Sequence, residues 1–199
     1  MAIYPANVPV PQGFATSEFT IRPLRASDAE ADYKAVVESR EMLRMWDQSD
    51  WPADAFTLDD NRADLEKHES EHGARDAFTF TIMEPSERTC LGCIYVHGLS
   101  GILNALGAGS REKEGIRSDD AFVTFWVRAS RLHDHLDWRV LDDLIRWFDA
   151  DWTFHRIAWG TNTADARQQS LFKRAGLAER WRFPVSDTKE YHLVFVRPS

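Results

Sequence analysis

The stretch AFVTFWVRASRLHDHLDWRVLDDLIRWFDADW, residues 121–152, decides the fold. It opens on a mostly apolar run, residues 121–128, of the kind carried by a strand covered on both faces. It closes with Leu141, Leu144, Ile145, Phe148 and Trp152 at helical spacing, which predicts a helix over residues 138–152. Between them lies RLHDHLD, residues 131–137, a turn from strand to helix. Turns of this kind often hold a phosphate group and are then usually rich in glycine. This one has no glycine and carries His133, Asp134, His135 and Asp137 instead.

Outward from this unit the chain alternates between the two periodicities. Toward the N-terminus, FTIRPL (residues 19–24) alternates as a strand, and Ser27 and Glu30 have the spacing of a helix capping box. That helix carries Tyr33, Val36, Val37 and Met42 on its buried side, and Trp46 to Phe56 connects it to a second helix. The second helix opens at Thr57 and is expected to stop at Gly73. Residues 77–83 and 90–97 are two more strands. Residues 98–120, with several glycines and the charged run Arg111-Glu112-Lys113-Glu114, read as a flexible insertion with at most one helical turn at 102–106. Toward the C-terminus come a strand at 156–160, a helix at 164–175 stopped by Gly176, and a hairpin of strands at 179–183 and 191–196. The expected class is α/β (α+β): a mixed seven-stranded sheet flanked by about four helices. Residues 1–17, rich in proline at their start, are expected to form an extended arm, and residues 18–199 one domain.

Composition narrows the function classes. The formal net charge of -8 argues against a broad nucleic-acid surface, which needs clustered Lys and Arg. No apolar run is long enough to span a bilayer, and the N-terminus lacks the pattern of a signal peptide, so a cytoplasmic location is the expectation. Two cysteines give no disulfide framework.

The order of elements, with three segments in particular, resembles the GNAT superfamily of acyl-CoA-dependent N-acetyltransferases. FTIRPLRASDAEADYKAVVES is similar to that family's first strand and helix. MWDQSDWPADAFTLDDNRADLEKH is similar to the helix connection of the branch that acetylates ribosomal-protein N-termini. FHRIAWGTNTADARQQSLFKRAGLAE is similar to its fifth strand and fourth helix. The resemblance covers about residues 19–196 and implies the GNAT fold, with acetyl-CoA or another acyl-CoA in a wedge between the strands at 121–128 and 156–160. It implies a cofactor site made of Trp126, Val127, Arg128, Leu132, His133, Asp134, His135, Leu136, Asp137 and Asn162. The acceptor would be a primary amine of a small molecule or a protein N-terminus, and a homodimer would be compatible.

The same resemblance exposes departures. The family's Gln/Arg-x-x-Gly-x-Gly/Ala pattern falls on residues 132–137, where none of its defining positions is kept. Asp137 is expected to cap the following helix and to repel a diphosphate, so that cofactor binding is weakened or rearranged; an ordinary capped turn that binds nothing is the other outcome. A frequent carboxylate position is Phe122, and a frequent Tyr position is Phe172, which has no proton to give. A Ser used in the ribosomal-protein branch would fall near Gln168. Candidate bases are Asp119, Asp120 and His133. A GNAT-fold binding module without catalysis is the alternative function.

Three other patterns carry less. His68-Glu69-Ser70-Glu71-His72 fits a zinc-hydrolase motif, but its surroundings are polar and it reads as a solvated helix face. His133-Asp134-His135 lacks a partner cluster for a metal. Cys90 and Cys93 lie in a strand, where residues three apart point to opposite faces, so neither a disulfide nor a shared metal is expected.

Overall fold

The computed structural model describes residues 2–198; Met1 of the expected arm and Ser199 lie outside the described residues. One open sheet organises the chain. Its strands are β1 (Phe14–Ala15), β2 (Thr20–Pro23), β3 (Phe78–Met83), β4 (Cys90–Gly98), β5 (Asp120–Val127), β6 (Arg156–Asn162), β7 (Ala178–Pro184) and β8 (Tyr191–Val196). Their order is β1-β2-β3-β4-β5-β6-β8-β7, and β5–β6 is the parallel pair among antiparallel neighbours. The sheet therefore has eight strands rather than the expected seven. The added one, β1, is a two-residue pair with β2, too short to show any periodicity in the sequence.

Six α-helices cover the sheet rather than about four: α1 (Ala29–Glu38), α2 (Arg40–Asp47), α3 (Leu58–Ala74), α4 (Leu99–Ala105), α5 (Leu136–Asp151) and α6 (Ala166–Arg174). The first expected helix is two, broken at Ser39. It follows a 3-10 turn at Ala26–Asp28, and Asp28 rather than Ser27 closes the entry: it accepts the Arg25 N–H (3.0 Å) and both Arg22 guanidinium arms (2.8 and 2.9 Å). Thr57 caps α3 as its spacing predicts, accepting the Asp60 N–H at 3.2 Å. Gly73 does not end that helix; Arg75, left-handed at φ 60°, does. Residues 98–120 are not a free insertion. They contain α4, whose Leu99 and Leu103 are fully buried against Phe122, Ala158 and Val194.

Strand parity divides the core. Val123, Phe125 and Val127 face α5 and α6 and join Leu141, Leu144, Phe148 and Phe172. Trp126 faces the other way, toward Val36, Leu43 and Leu65 of α1, α2 and α3. The N-terminal segment is packed against the core: Tyr4 is 3% exposed, edge-on to Trp152 at 5.1 Å and to Phe154 at 5.0 Å.

Cys90 and Cys93 overturn the parity argument made from their spacing. Met83 pairs with Cys90 and Ile82 with Gly92, so Leu91 is an extra residue, a β-bulge, and the alternation resets. Gly92 permits it. Its φ is +149°, and a Cβ there would lie 2.0 Å from the Trp126 carbonyl oxygen. Both sulfurs therefore emerge on the α1 face.

Candidate functional site

The sheet opens in its middle. β5 and β6 pair from Asp120↔Arg156 to Val123↔Trp159 and then part, while β5 keeps its β4 partners as far as Gly92↔Val127. The opening is filled from within. From the α2 side, the Trp46 indole N–H donates to the Phe125 carbonyl at 3.0 Å. From the α6 side, the Gln168 amide donates to the same oxygen at 2.9 Å. A cavity of about 80 Å³ remains, bordered by Met42, Trp46, Val127, Leu132 and Gln168. The Gln168 Oε1 atom is buried without a hydrogen-bond partner among the described residues. Asn162 is tied at both ends of its amide: Nδ2 donates to the Met45 and Trp46 carbonyls (3.0 and 2.9 Å), and Oδ1 accepts from the Ala164 and Asp165 N–H groups (2.9 and 3.1 Å).

The turn into α5 differs from its expected form. Asp137 does not cap the helix. His135, left-handed at φ 59°, holds the cap position and Asp137 is the second helical residue. Its side chain is 6% exposed and binds both arms of Arg167, at 2.5 and 2.8 Å. Arg167 is held charged by this pairing, its pKa raised above the ordinary value. The other cations of the turn are matched in the same way. Arg131 pairs with Asp134 at 3.0 Å, and Arg139 with Glu18 at 2.8 Å. His133 Nδ1 lies 2.6 Å from the Ser130 carbonyl. Arg128 turns away to Glu38 and the Cys90 carbonyl.

The acidic candidates for a base are also corrected. Asp120 is buried and bound by the Arg117 N–H (3.0 Å), His155 Nδ1 (2.7 Å) and Arg156 (3.3 Å). It lies five residues before Phe125, roughly 17 Å along the strand, at the closed end of the β5–β6 pair. Asp119 is clamped by Arg117 at 2.9 and 3.0 Å. Neither faces the opening.

The side chains that do face it lie on the α1–α4 side, in two adjoining hollows that share Trp46, Asp47 and Thr124. One, about 330 Å³, is lined by Trp51, Asp64, His68, Tyr95 and His97 among others. The second, about 260 Å³, sits where the strands part and is lined by Phe122, Gly160, Thr161 and His192. Gly160 is small by necessity, since a Cβ would meet Phe122 Cζ at 2.2 Å. Burial lowers the pKa of His97 and of His192, with Asp47 partly opposing this at His192, so both imidazoles are neutral at pH 7. Burial pushes the Tyr95 phenol well above its usual range. Sequence reasoning missed His97, His192, Asp47 and Trp46. The alternation Cys93, Tyr95, His97 and the pair His192, Val194 were the signals available for the first two.

No family model matches the sequence, and no curated protein matches it. Solved structures do. The chain resembles the ribosomal-protein-S5-alanine acetyltransferase of Vibrio fischeri with a TM-score of 0.70 and 15% identity, over 93% of this chain and 95% of that one. It resembles RimL, a ribosomal L7/L12 α-N-protein acetyltransferase solved with coenzyme A, with a TM-score of 0.71 and 12% identity over 92% and 94% of the two chains. The microcin C7 self-immunity acetyltransferase MccE, solved with acetyl-CoA and AMP, gives 0.70 and 12% over 94% and 97%. The chain has the GNAT fold, and its solved likenesses include ribosomal-protein acetyltransferases. Among the described residues no helix is long and apolar enough to cross a membrane.

Proposed function

We propose that the protein is an acyl-CoA-dependent N-acetyltransferase that acetylates a primary amine of a small molecule or a protein N-terminus. The observation that carries this reading is the parting of β5 from β6 after Val123 and Trp159, with the hollow around His192 at its mouth. The likeness to RimL and MccE, solved with coenzyme A and acetyl-CoA, supports placing the thioester arm in that opening.

The residues present fit the cofactor in part. The unpartnered Gln168 Oε1 is an acceptor for an amide N–H, which the pantetheine arm supplies. The diphosphate end fits poorly, because the Asp137–Arg167 pair already occupies the first turn of α5. Bound acetyl-CoA supplies an activated acyl carbon. The acceptor nitrogen would form the new bond to it as the carbon–sulfur bond breaks, and the one proton lost by the amine would end on the departing sulfur. His192, beside Asp47, takes that proton from the amine and hands it on to the sulfur. Asp47 and Asp64 give the groove a negative lining suited to a cationic acceptor.

A second reading is a GNAT-fold module without catalysis. The Phe125 carbonyl, engaged from both faces of the sheet, favours it. Calorimetric titration with acetyl-CoA separates the two. Saturable binding, with His192→Gln lowering kcat while the acetyl-CoA KM holds, supports the enzyme. Absence of heat and of any thermal shift at millimolar acetyl-CoA supports the module.

A further inference from the structure

The bulge at Leu91–Gly92 does more than correct a parity. It brings Cys90 Sγ and Cys93 Sγ to one oxygen of Asp32, at 3.6 and 3.3 Å. The three ligating atoms lie within 4.8 Å of one another. All three residues are buried: Asp32 is 3% exposed, Cys90 0% and Cys93 1%. Among the described residues no Lys, Arg or His forms an ion pair with Asp32, although a buried carboxylate ordinarily has a cation or sheds its charge.

We propose that Asp32, Cys90 and Cys93 form a zinc site joining α1 to β4. Zinc takes thiolate sulfur at about 2.3 Å and carboxylate oxygen at about 2.0–2.2 Å in tetrahedral geometry. Those bond lengths place sulfur and oxygen about 3.5–3.7 Å apart along a tetrahedron edge. The Cys90 separation of 3.6 Å falls in that range, and the Cys93 separation of 3.3 Å is slightly shorter. The second oxygen of Asp32 is held by the Asn61 amide at 3.0 Å, and the same amide is fixed by the Ala29 carbonyl at 3.1 Å. This is the outer support that sets the direction of a ligating carboxylate. The chain also accepts a left-handed glycine packed against the Trp126 backbone to bring the sulfurs together. Asp32 and Cys93 line the 330 Å³ hollow. The fourth position therefore opens toward the groove and takes a water or a donor atom of the bound acceptor. Binding requires both thiols to lose their protons as zinc enters.

The test uses the full chain, stripped of metal by a chelator under reducing conditions. It is then titrated with Zn2+ and, separately, with Co2+. One zinc per chain and an intense near-ultraviolet sulfur-to-cobalt band are expected. Cys93→Ser should abolish the band, and Asn61→Ala should weaken zinc about 10- to 100-fold. If Cys93→Ser does not fold, the cobalt spectrum of the unaltered chain decides alone. Zinc bound without a thiolate band would place the metal on other side chains and overturn the proposal. So would failure to bind either metal, which would leave the cluster as two thiols hydrogen-bonded to a carboxyl group.

Discussion

Replacing Asp137 by Asn is the sharpest probe of the turn into α5. Asp137 and Arg167 neutralise each other at the place where a diphosphate would meet the helix N-terminus. Removal of the carboxylate charge leaves Arg167 positive, still tethered to the Leu132 carbonyl at 2.7 Å. A unit charge about 6 Å from a phosphate, in water-like surroundings, is worth about 0.7 kcal/mol. Two phosphate charges make this about 1.4 kcal/mol, or roughly tenfold in Kd. The loss of the pair costs the fold about 1 kcal/mol, since the Arg167 side chain is 40% exposed and rehydrates. Calorimetry should therefore show coenzyme A binding about tenfold tighter to Asp137→Asn. Pantetheine, which has no phosphate, should bind both proteins alike. Asp137→Asn/Arg167→Gln should return coenzyme A to the starting affinity. Unchanged or weaker coenzyme A binding by a folded Asp137→Asn chain would refute the view that this pair stands in the phosphate's place.

Other substitutions test the packing around the opening. Gly160→Ala should cost about 1–3 kcal/mol in urea denaturation, because its Cβ would collide with the Phe122 ring, and Phe122→Leu should restore part of the loss. Tyr4→Ala should cost about 3 kcal/mol or more, as expected of a buried aromatic, whereas a free arm would lose almost nothing on removal. Arg128 draws the Glu38 carboxyl down to about 2, from an unfolded value near 4.5. Its contribution is complete above pH 4.5 and disappears as the pH falls toward 2. The melting-temperature gap between the unaltered chain and Glu38→Gln should close over that window. With the Glu38 side chain more than a third exposed, the gap reflects at most about 1 kcal/mol.

The fold was legible where one period ran long. Leu141, Leu144 and Phe148 mark α5 without ambiguity, and the apolar run of β5 marks the middle of the sheet. Short or interrupted elements were not. β1 has two residues, α4 hides among glycines and charges, and the break between α1 and α2 at Ser39 has no proline or glycine to announce it. The Asp137–Arg167 pair spans 30 positions, and nothing local at Asp137 distinguishes an ion pair from a cap.

The contents of the opening were beyond any local reading for a physical reason. Parting two strands leaves carbonyls without partners, and a buried carbonyl must find a donor. The Phe125 carbonyl could be served by a cofactor amide or by side chains, and local sequence does not say which. Trp46, 79 positions away, and Gln168, 43 away, both reach it. Two donors on one oxygen satisfy it fully, so a ligand amide gains there only by displacing one of them. Gln168 offers the compensating half of that exchange, because its own Oε1 is buried without a donor among the described residues. A pantetheine N–H on Oε1 would leave the Phe125 carbonyl as it is and add a bond where none exists. On this argument the opening accepts the thioester arm by way of the glutamine side chain rather than strand backbone. Gln168→Leu should therefore weaken pantetheine and coenzyme A equally, by about tenfold for one lost hydrogen bond. Equal affinity for both ligands in Gln168→Leu and the unaltered chain would return the recognition to the backbone of β5.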